Sequence, residues 1–174
     1  IMEGVSPLAL SCLRIVGATI VLLPFVRRSE MPKQIEGKDI VLLILMGTMG
    51  VAGAIVLQFL GTNRTLASHV SLLTGLEPIF TVLLASFFLR EHLNFRILAS
   101  LFFALCGAIF VSVDPSSLKI FSGQFFIGNS LIVGSILCYS LYTLIGKYLA
   151  PRWGTMTLTA IGFGIATLLL IPIG

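Results

Sequence analysis

Six apolar stretches of about 20 residues each, separated by short charged segments, constrain this chain more than any other feature. They run at approximately 6–25, 40–60, 70–89, 97–113, 128–148 and 155–173. A hydrocarbon layer about 30 Å thick is crossed by roughly 20 residues of helix. Inside lipid every backbone N–H and C=O must be satisfied within a helix or a closed barrel. These stretches are too long for barrel strands and do not alternate, and none carries the broad charged face of a surface-lying helix. The expected fold class is therefore all-α, a polytopic transmembrane helix bundle with six spans. Composition points the same way, with 57% of residues apolar and 10% charged, against about a quarter charged in a soluble domain. So little polar surface disfavours a soluble enzyme, a disordered tail and a nucleic-acid binder. Cys12, Cys106 and Cys138 sit singly inside apolar runs, with no CxxC spacing, and read as small core residues.

The connections carry nearly all the charge. VRRSEMPKQIEGKD reads as a water-exposed loop, GTNRTLASH as a polar break and REHLNFR as a tight turn. Numbering the connections alternately places Arg27, Arg28, Lys33, Lys38, Arg90, Arg96, Lys147 and Arg152 on one side. The other side holds only Arg64 and Lys119, and Arg14 lies within a span. So lopsided a distribution over short loops is a positive-inside signal. It places loops 26–39, 90–96 and 147–154 in the cytoplasm of a multi-pass cell-membrane protein, with both chain ends outside. Residues 6–25 lack the charged lead and small-residue cleavage site of a signal peptide. A chain that opens on Ile1 and stops at Gly174 directly after an apolar span is expected to be a piece of a longer polytopic protein.

The third and fourth spans carry a recognisable pattern. SHVSLLTGLEPIFTVLLASFFLREHLNFRILASLFFALCGAIFVS has a small and polar helix start, Glu77-Pro78 within the span, and an Arg90-Glu91-His92-Leu93 turn before a glycine-bearing helix. It resembles the EamA-type repeat of the drug/metabolite transporter superfamily. SPLALSCLRIVGATIVLLP, with Pro7, Arg14 and Pro24, is similar to that family's second helix, and GNSLIVGSILCYSLYTLIGKYLAP to the opening helix of a second repeat. The resemblance implies ten helices in two five-helix repeats of inverted topology, of which this chain would hold helices two to seven. Residues 1–114 would be a first repeat lacking its first helix, 115–127 an external linker, and 128–174 the first two helices of a second repeat. An offset of 148 residues offers an internal check, since it pairs Leu10 with Leu158, Ala18 with Ala166, Thr19 with Thr167, Leu22 with Leu170 and Pro24 with Pro172. By the charge count those two spans cross the membrane in opposite directions, as an inverted repeat requires. The counterpart of Arg14 is Gly162, so an arginine-dependent step would belong to one half only.

An ionisable residue within a span costs about 2.5–3.5 kcal/mol on insertion scales, which singles out Arg14 and Glu77. At 1.5 Å per residue each lies about 10–12 Å below the outer boundary. At helical spacing Thr74, Glu77 and Thr81 share a face, Gly47, Ala54, Gln58 and Gly61 form a small and polar stripe, and Ser135, Tyr139, Tyr142 and Gly146 align. One reading makes these stripes the walls of a polar substrate path. Arg14 would hold an anionic group such as a carboxylate, the tyrosines would stack or hydrogen-bond, and Glu77 would balance charge or carry a proton. The plainer reading makes Arg14 and Glu77 an interhelix lock and the Gly and Ala stripes packing surfaces. Pro78 removes the N–H partner of the Thr74 carbonyl and is a candidate hinge. Arg90 and Glu91 belong to the cytoplasmic turn, and Ser100, Ala104 and Ala108 read as a close helix contact. His69 and His92 are placed at water interfaces, and Tyr148 and Trp153 in an interfacial aromatic belt.

No metal and no cofactor is expected, because no HExxH motif, carboxylate–histidine cluster or phosphate-binding loop is present. The expected partners are membrane lipid, a small-molecule substrate, candidate coupling protons, and either the missing helices of the same protein or a homo-oligomer partner. The resemblance implies a secondary transporter of small metabolites, often effluxing amino acids, related metabolites or drug-like molecules by alternating access. The alternative is a truncated or structural membrane subunit without transport activity of its own. An intramembrane enzyme is disfavoured because the spans hold one acidic residue and no histidine.

Overall fold

The computed structural model describes residues 7–26, 32, 34–89, 94–112 and 123–171. The described residues form eight α-helices, a 3-10 turn and a π-helical segment, and no strand. The protein is thus an all-α membrane bundle, with a helical rod over each of the six apolar stretches. Among the described residues, Gly37–Thr62, Ala67–Leu89 and Phe125–Trp153 are long and apolar enough to cross a bilayer, and Ser11–Leu22, Phe95–Gly107 and Thr155–Leu170 are shorter apolar helices. The chain divides into two compact units, Ile1–Ile55 with Leu141–Gly174, and Val56–Ser140.

The first unit opens with α1, Pro7–Leu22. Proline suits a first helical position, where the missing N–H would be unpaired in any case. A 3-10 turn at Leu23–Phe25, containing Pro24, ends this rod. Helix α2, Gly37–Leu45, passes into a π-helical stretch, Met46–Gly53, and on into α3, Ala54–Thr62, whose first two residues belong to this unit. The wide turn contains Gly47, Gly50 and Gly53, and its small side chains let neighbouring helices approach closely. A Cβ on Gly47 would lie 2.6 Å from the Ile165 Cβ, and one on Gly50 would lie 2.8 Å from the Tyr142 Cβ. Leu43, Met46, Ile145, Leu149, Trp153 and Leu158 form the buried core. Gly154 stands between α7, Gly123–Trp153, and α8, Thr155–Leu170, at a φ of 71°, which only glycine adopts without strain.

The second unit holds the rest of α3, then α4 at Ala67–Thr74 and α5 at Glu77–Leu89. The rod expected at 70–89 is therefore interrupted, as Pro78 predicts. The helix narrows to 3-10-type bonding at Gly75–Leu76, with Leu76 N donating to Leu73 O at 2.9 Å and Ile79 N to Leu76 O at 3.0 Å, within a rod that runs from Ala67 to Leu89. The interruption puts Pro78 in the first turn of α5, where its missing N–H costs no helix bond. Helix α6, Phe95–Ser112, packs against α4. The final element is α7, Gly123–Trp153, of which residues up to Ser140 belong to this unit. Leu73, Ile132 and Ile136 are its buried core. Gly61 lies so close to α7 that a Cβ there would sit 3.0 Å from the Gly128 carbonyl oxygen.

Several local expectations are corrected. The linker placed at 115–127 is helical from Gly123, and the loop placed at 147–154 is helix up to Trp153. Pro151 sits so near the helix end that only one late backbone bond is lost. Ser100 and Ala104, read as a helix contact, are exposed, because α6 turns that face outward, and the Ala108 side chain lies outside the described residues. His69 is wholly buried rather than interfacial, edge-on to Phe125 with ring centroids 5.3 Å apart. Trp153 is 4% exposed, buried because its indole N–H has found a carboxylate, while Tyr148 is exposed as a belt residue would be.

Candidate functional site

The interrupted rod makes Glu77 the first residue of α5, half-buried at a helix N-terminus inside an apolar span. The positive end of the helix dipole favours a negative charge there. One turn later the Thr81 hydroxyl donates to the Ser140 hydroxyl of α7 at 3.0 Å. Thr74, on the other side of the break, is turned back on its own helix, with its hydroxyl 2.8 Å from the Val70 carbonyl oxygen. Ser135 is buried and donates to the Ile132 carbonyl at 2.8 Å. Gln58 and Tyr139 are half-buried. In this unit, then, the predicted polar residues include one that reaches another helix by a side-chain bond, Thr81. Its partner Ser140 directly follows Tyr139 in sequence and was passed over because a serine in an apolar run has no distinguishing pattern.

A second polar cluster lies at the start of α4. The Thr65 hydroxyl donates to Asn129 Oδ1 and lies 3.1 Å from His69 Nδ1. Gly128 brings the two chain segments together, since a Cβ there would collide with the Arg64 carbonyl. Sequence reasoning missed this cluster because Thr65 and Asn129 are 64 residues apart.

In the first unit Arg14 is exposed on α1. Tyr142 is half-buried, stacks on Phe163 with centroids 6.4 Å apart, and lies against Gly50. Arg14 and Glu77 belong to different units. Arg90 and Glu91 of the cytoplasmic turn lie outside the described residues.

The strongest charge constellation of this unit was not foreseen. Asp39, 2% exposed in the first turn of α2, accepts from Arg152 Nη1 at 3.3 Å and from Trp153 Nε1 at 3.4 Å. Arg152 also bonds Glu36 Oε1 at 3.1 Å. This ties the beginning of α2 to the end of α7. Each residue reads alone as loop charge or belt aromatic, and the signal is only their meeting across 113 residues. At the other contact of interest, α1 meets α8 through Thr19 and Thr167, whose hydroxyl oxygens are 3.1 Å apart, and Cys12 Sγ lies 3.8 Å from the Leu170 carbonyl oxygen.

These features can be set beside known proteins. An uncharacterized transporter of Archaeoglobus fulgidus is 27% identical over 167 residues, which is 96% of this chain and 57% of the relative. The uncharacterized transporter YyaM of Bacillus subtilis is 26% identical over 130 residues, 75% of this chain and 43% of the relative. A protein of Streptantibioticus cattleyicolor named "Probable terminal-alkyne amino-acid exporter" is 24% identical over 145 residues, 83% of this chain and 48% of the relative. The chain therefore spans about half the length of the curated relatives it matches. No solved structure matches it. The model of the EamA-like transporter family matches residues 1–113. The chain is an integral membrane protein that belongs to the EamA-like transporter family.

Proposed function

We propose that the full-length protein is a secondary transporter that exports amino acids or closely related small metabolites from the cell by alternating access. It would sit in the cell membrane with loops 26–39 and 90–96 and the C-terminal end of α7 in the cytoplasm, as the distribution of Lys and Arg favours. The observation that carries this reading is the 3-10-type loosening at Gly75–Leu76, which makes Glu77 the first residue of α5 within the apolar span Ala67–Leu89. Discontinuous helices place charged and backbone groups at substrate and ion sites near the middle of transporters. A carboxylate retained there against an insertion cost of a few kcal/mol is a functional group by default. The amino-acid class is favoured by the printed name of the exporter relative and by Arg14, whose guanidinium suits a substrate carboxylate. Arg14 would then act together with helices that the relatives' greater length supplies.

The test is efflux of radiolabelled neutral amino acids from preloaded membrane vesicles carrying the full-length protein. Wild type is expected to release label faster than empty vesicles, and Glu77→Gln at least tenfold more slowly than wild type at equal expression. Release by Glu77→Gln equal to wild type would remove the role given to Glu77. Wild-type release no faster than empty vesicles would remove the substrate class.

A further inference from the structure

The offset that aligns the two similar spans pairs Thr19 with Thr167, and these same two residues are bonded across the α1–α8 contact, 148 residues apart. Moving along α1 from Cys12 to Thr19 carries the partner backward along α8, from Leu170 to Thr167, so the helices cross with opposed directions. In repeat register Leu170 is the image of Leu22, so the Cys12 contact is centred near position 17. The Thr19 contact is centred on position 19 itself, less than one helical turn away. Two contacts thus locate the same centre. A two-fold rotation leaves in place only what lies on its axis, and the midpoint between a residue and its own image lies on it.

From this we propose that the Thr19–Thr167 pair marks the pseudo-two-fold axis between the halves and is the pivot about which α1 and α8 exchange roles during transport. The proposal rests on the alternating-access reading above. When inverted halves trade conformations, a contact between a residue and a different residue's image becomes its mirror contact. Cys12 with Leu170 becomes Leu22 with Ala160. A contact between a residue and its own image maps onto itself and persists. The one asymmetry in the threonine pair is the proton. A hydroxyl donates once, and Thr19 donates to the Ile15 carbonyl at 2.8 Å, so Thr167 donates to Thr19. The image of Ile15 is Phe163. In the opposite state Thr167 bonds the Phe163 carbonyl and Thr19 becomes the donor, with no hydroxyl left unpaired at either end. A single side-chain bond between membrane helices is weak and allows rotation about the contact.

The test uses the full-length chain in membrane vesicles, with the native cysteines replaced by serine except where one is itself part of a test pair. One variant carries T19C and T167C, and the other keeps Cys12 and adds L170C. Disulfide formation is followed by loss of maleimide-reactive thiols, under pH gradients of either polarity and with neutral amino acids on either face. The single variants T19C and T167C report on folding. The expected result is a linkage rate for T19C/T167C that stays within twofold across conditions, while Cys12/L170C changes at least fivefold. Linked T19C/T167C protein is expected to export labelled amino acid within threefold of its reduced form. A T19C/T167C rate that follows the condition overturns the pivot, as does a Cys12/L170C rate that never changes, which would make α1–α8 a rigid seam. If the reduced proteins export no amino acid, the substrate reading fails, and the linkage rates still decide the pivot.

Discussion

Breaking the Asp39–Arg152 pair from the arginine side should harm the protein far more than removing Glu36. Asp39 is 2% exposed, so Arg152→Gln leaves a buried carboxylate that has lost its cationic partner and still accepts from the Trp153 indole N–H. Stranding a buried charge costs about 3–5 kcal/mol. Arg152 is itself 41% exposed and its contact with Asp39 is 3.3 Å, so part of that figure is lost to solvent screening and about 2–3 kcal/mol is expected. Glu36 is 60% exposed, and pairs of that kind contribute about 0–1 kcal/mol, so Glu36→Gln should cost less than about 1 kcal/mol. The decisive variant is Asp39→Asn with Arg152→Gln, because the amide still accepts from Trp153 but carries no charge. That double variant should be at least about 1 kcal/mol more stable than Arg152→Gln alone, if the penalty is the stranded charge. Equilibrium unfolding of the purified full-length protein in mixed micelles with increasing SDS measures these three variants and Asp39→Asn alone. Additive costs, or Glu36→Gln as damaging as Arg152→Gln, would refute the reasoning.

Two further outcomes follow from packing and from the polar contact between α5 and α7. Gly47→Ala would place a methyl 2.6 Å from the Ile165 Cβ and 3.1 Å from the Gly162 carbonyl oxygen, and should cost about 1–3 kcal/mol by overpacking. Gly146→Ala meets nothing within 4 Å and should be neutral or stabilising by up to about 1 kcal/mol from helix propensity; thermal aggregation in detergent would show both, and equal effects would contradict the assigned contacts. Thr81→Val and Ser140→Ala break one interhelical bond, so a double-mutant cycle should give a coupling of about 0.6 kcal/mol and below about 2 kcal/mol. A larger coupling would mean that the pair belongs to a wider network.

What the sequence revealed and what it hid differ by the range of the information. The rods were legible because lipid imposes length and apolarity residue by residue, and Glu77-Pro78 announced the break before α5 because proline's missing N–H acts within one turn. The proposed orientation rests on the same local kind of signal, the Lys and Arg of the connections. The π-helical stretch at Met46–Gly53 was not legible, since its glycines fit an ordinary packing stripe equally well. The Asp39–Arg152–Trp153 cluster and the Thr65–Asn129 contact join residues far apart in sequence, and no spacing rule connects them. Thr19 and Thr167 are a mixed case. Their distance in sequence equals the repeat offset, so the alignment paired them as equivalent positions, while their contact came from the fold alone.

The account depends most on six helices crossing the membrane with alternating sense. Single cysteines at Lys38, Asn63 and Lys147 in the full-length, otherwise cysteine-free protein test this in whole cells with a membrane-impermeant maleimide. The account predicts labelling of the Asn63 position in intact cells, and of the Lys38 and Lys147 positions only after permeabilisation. Labelling of all three from the same side would contradict it.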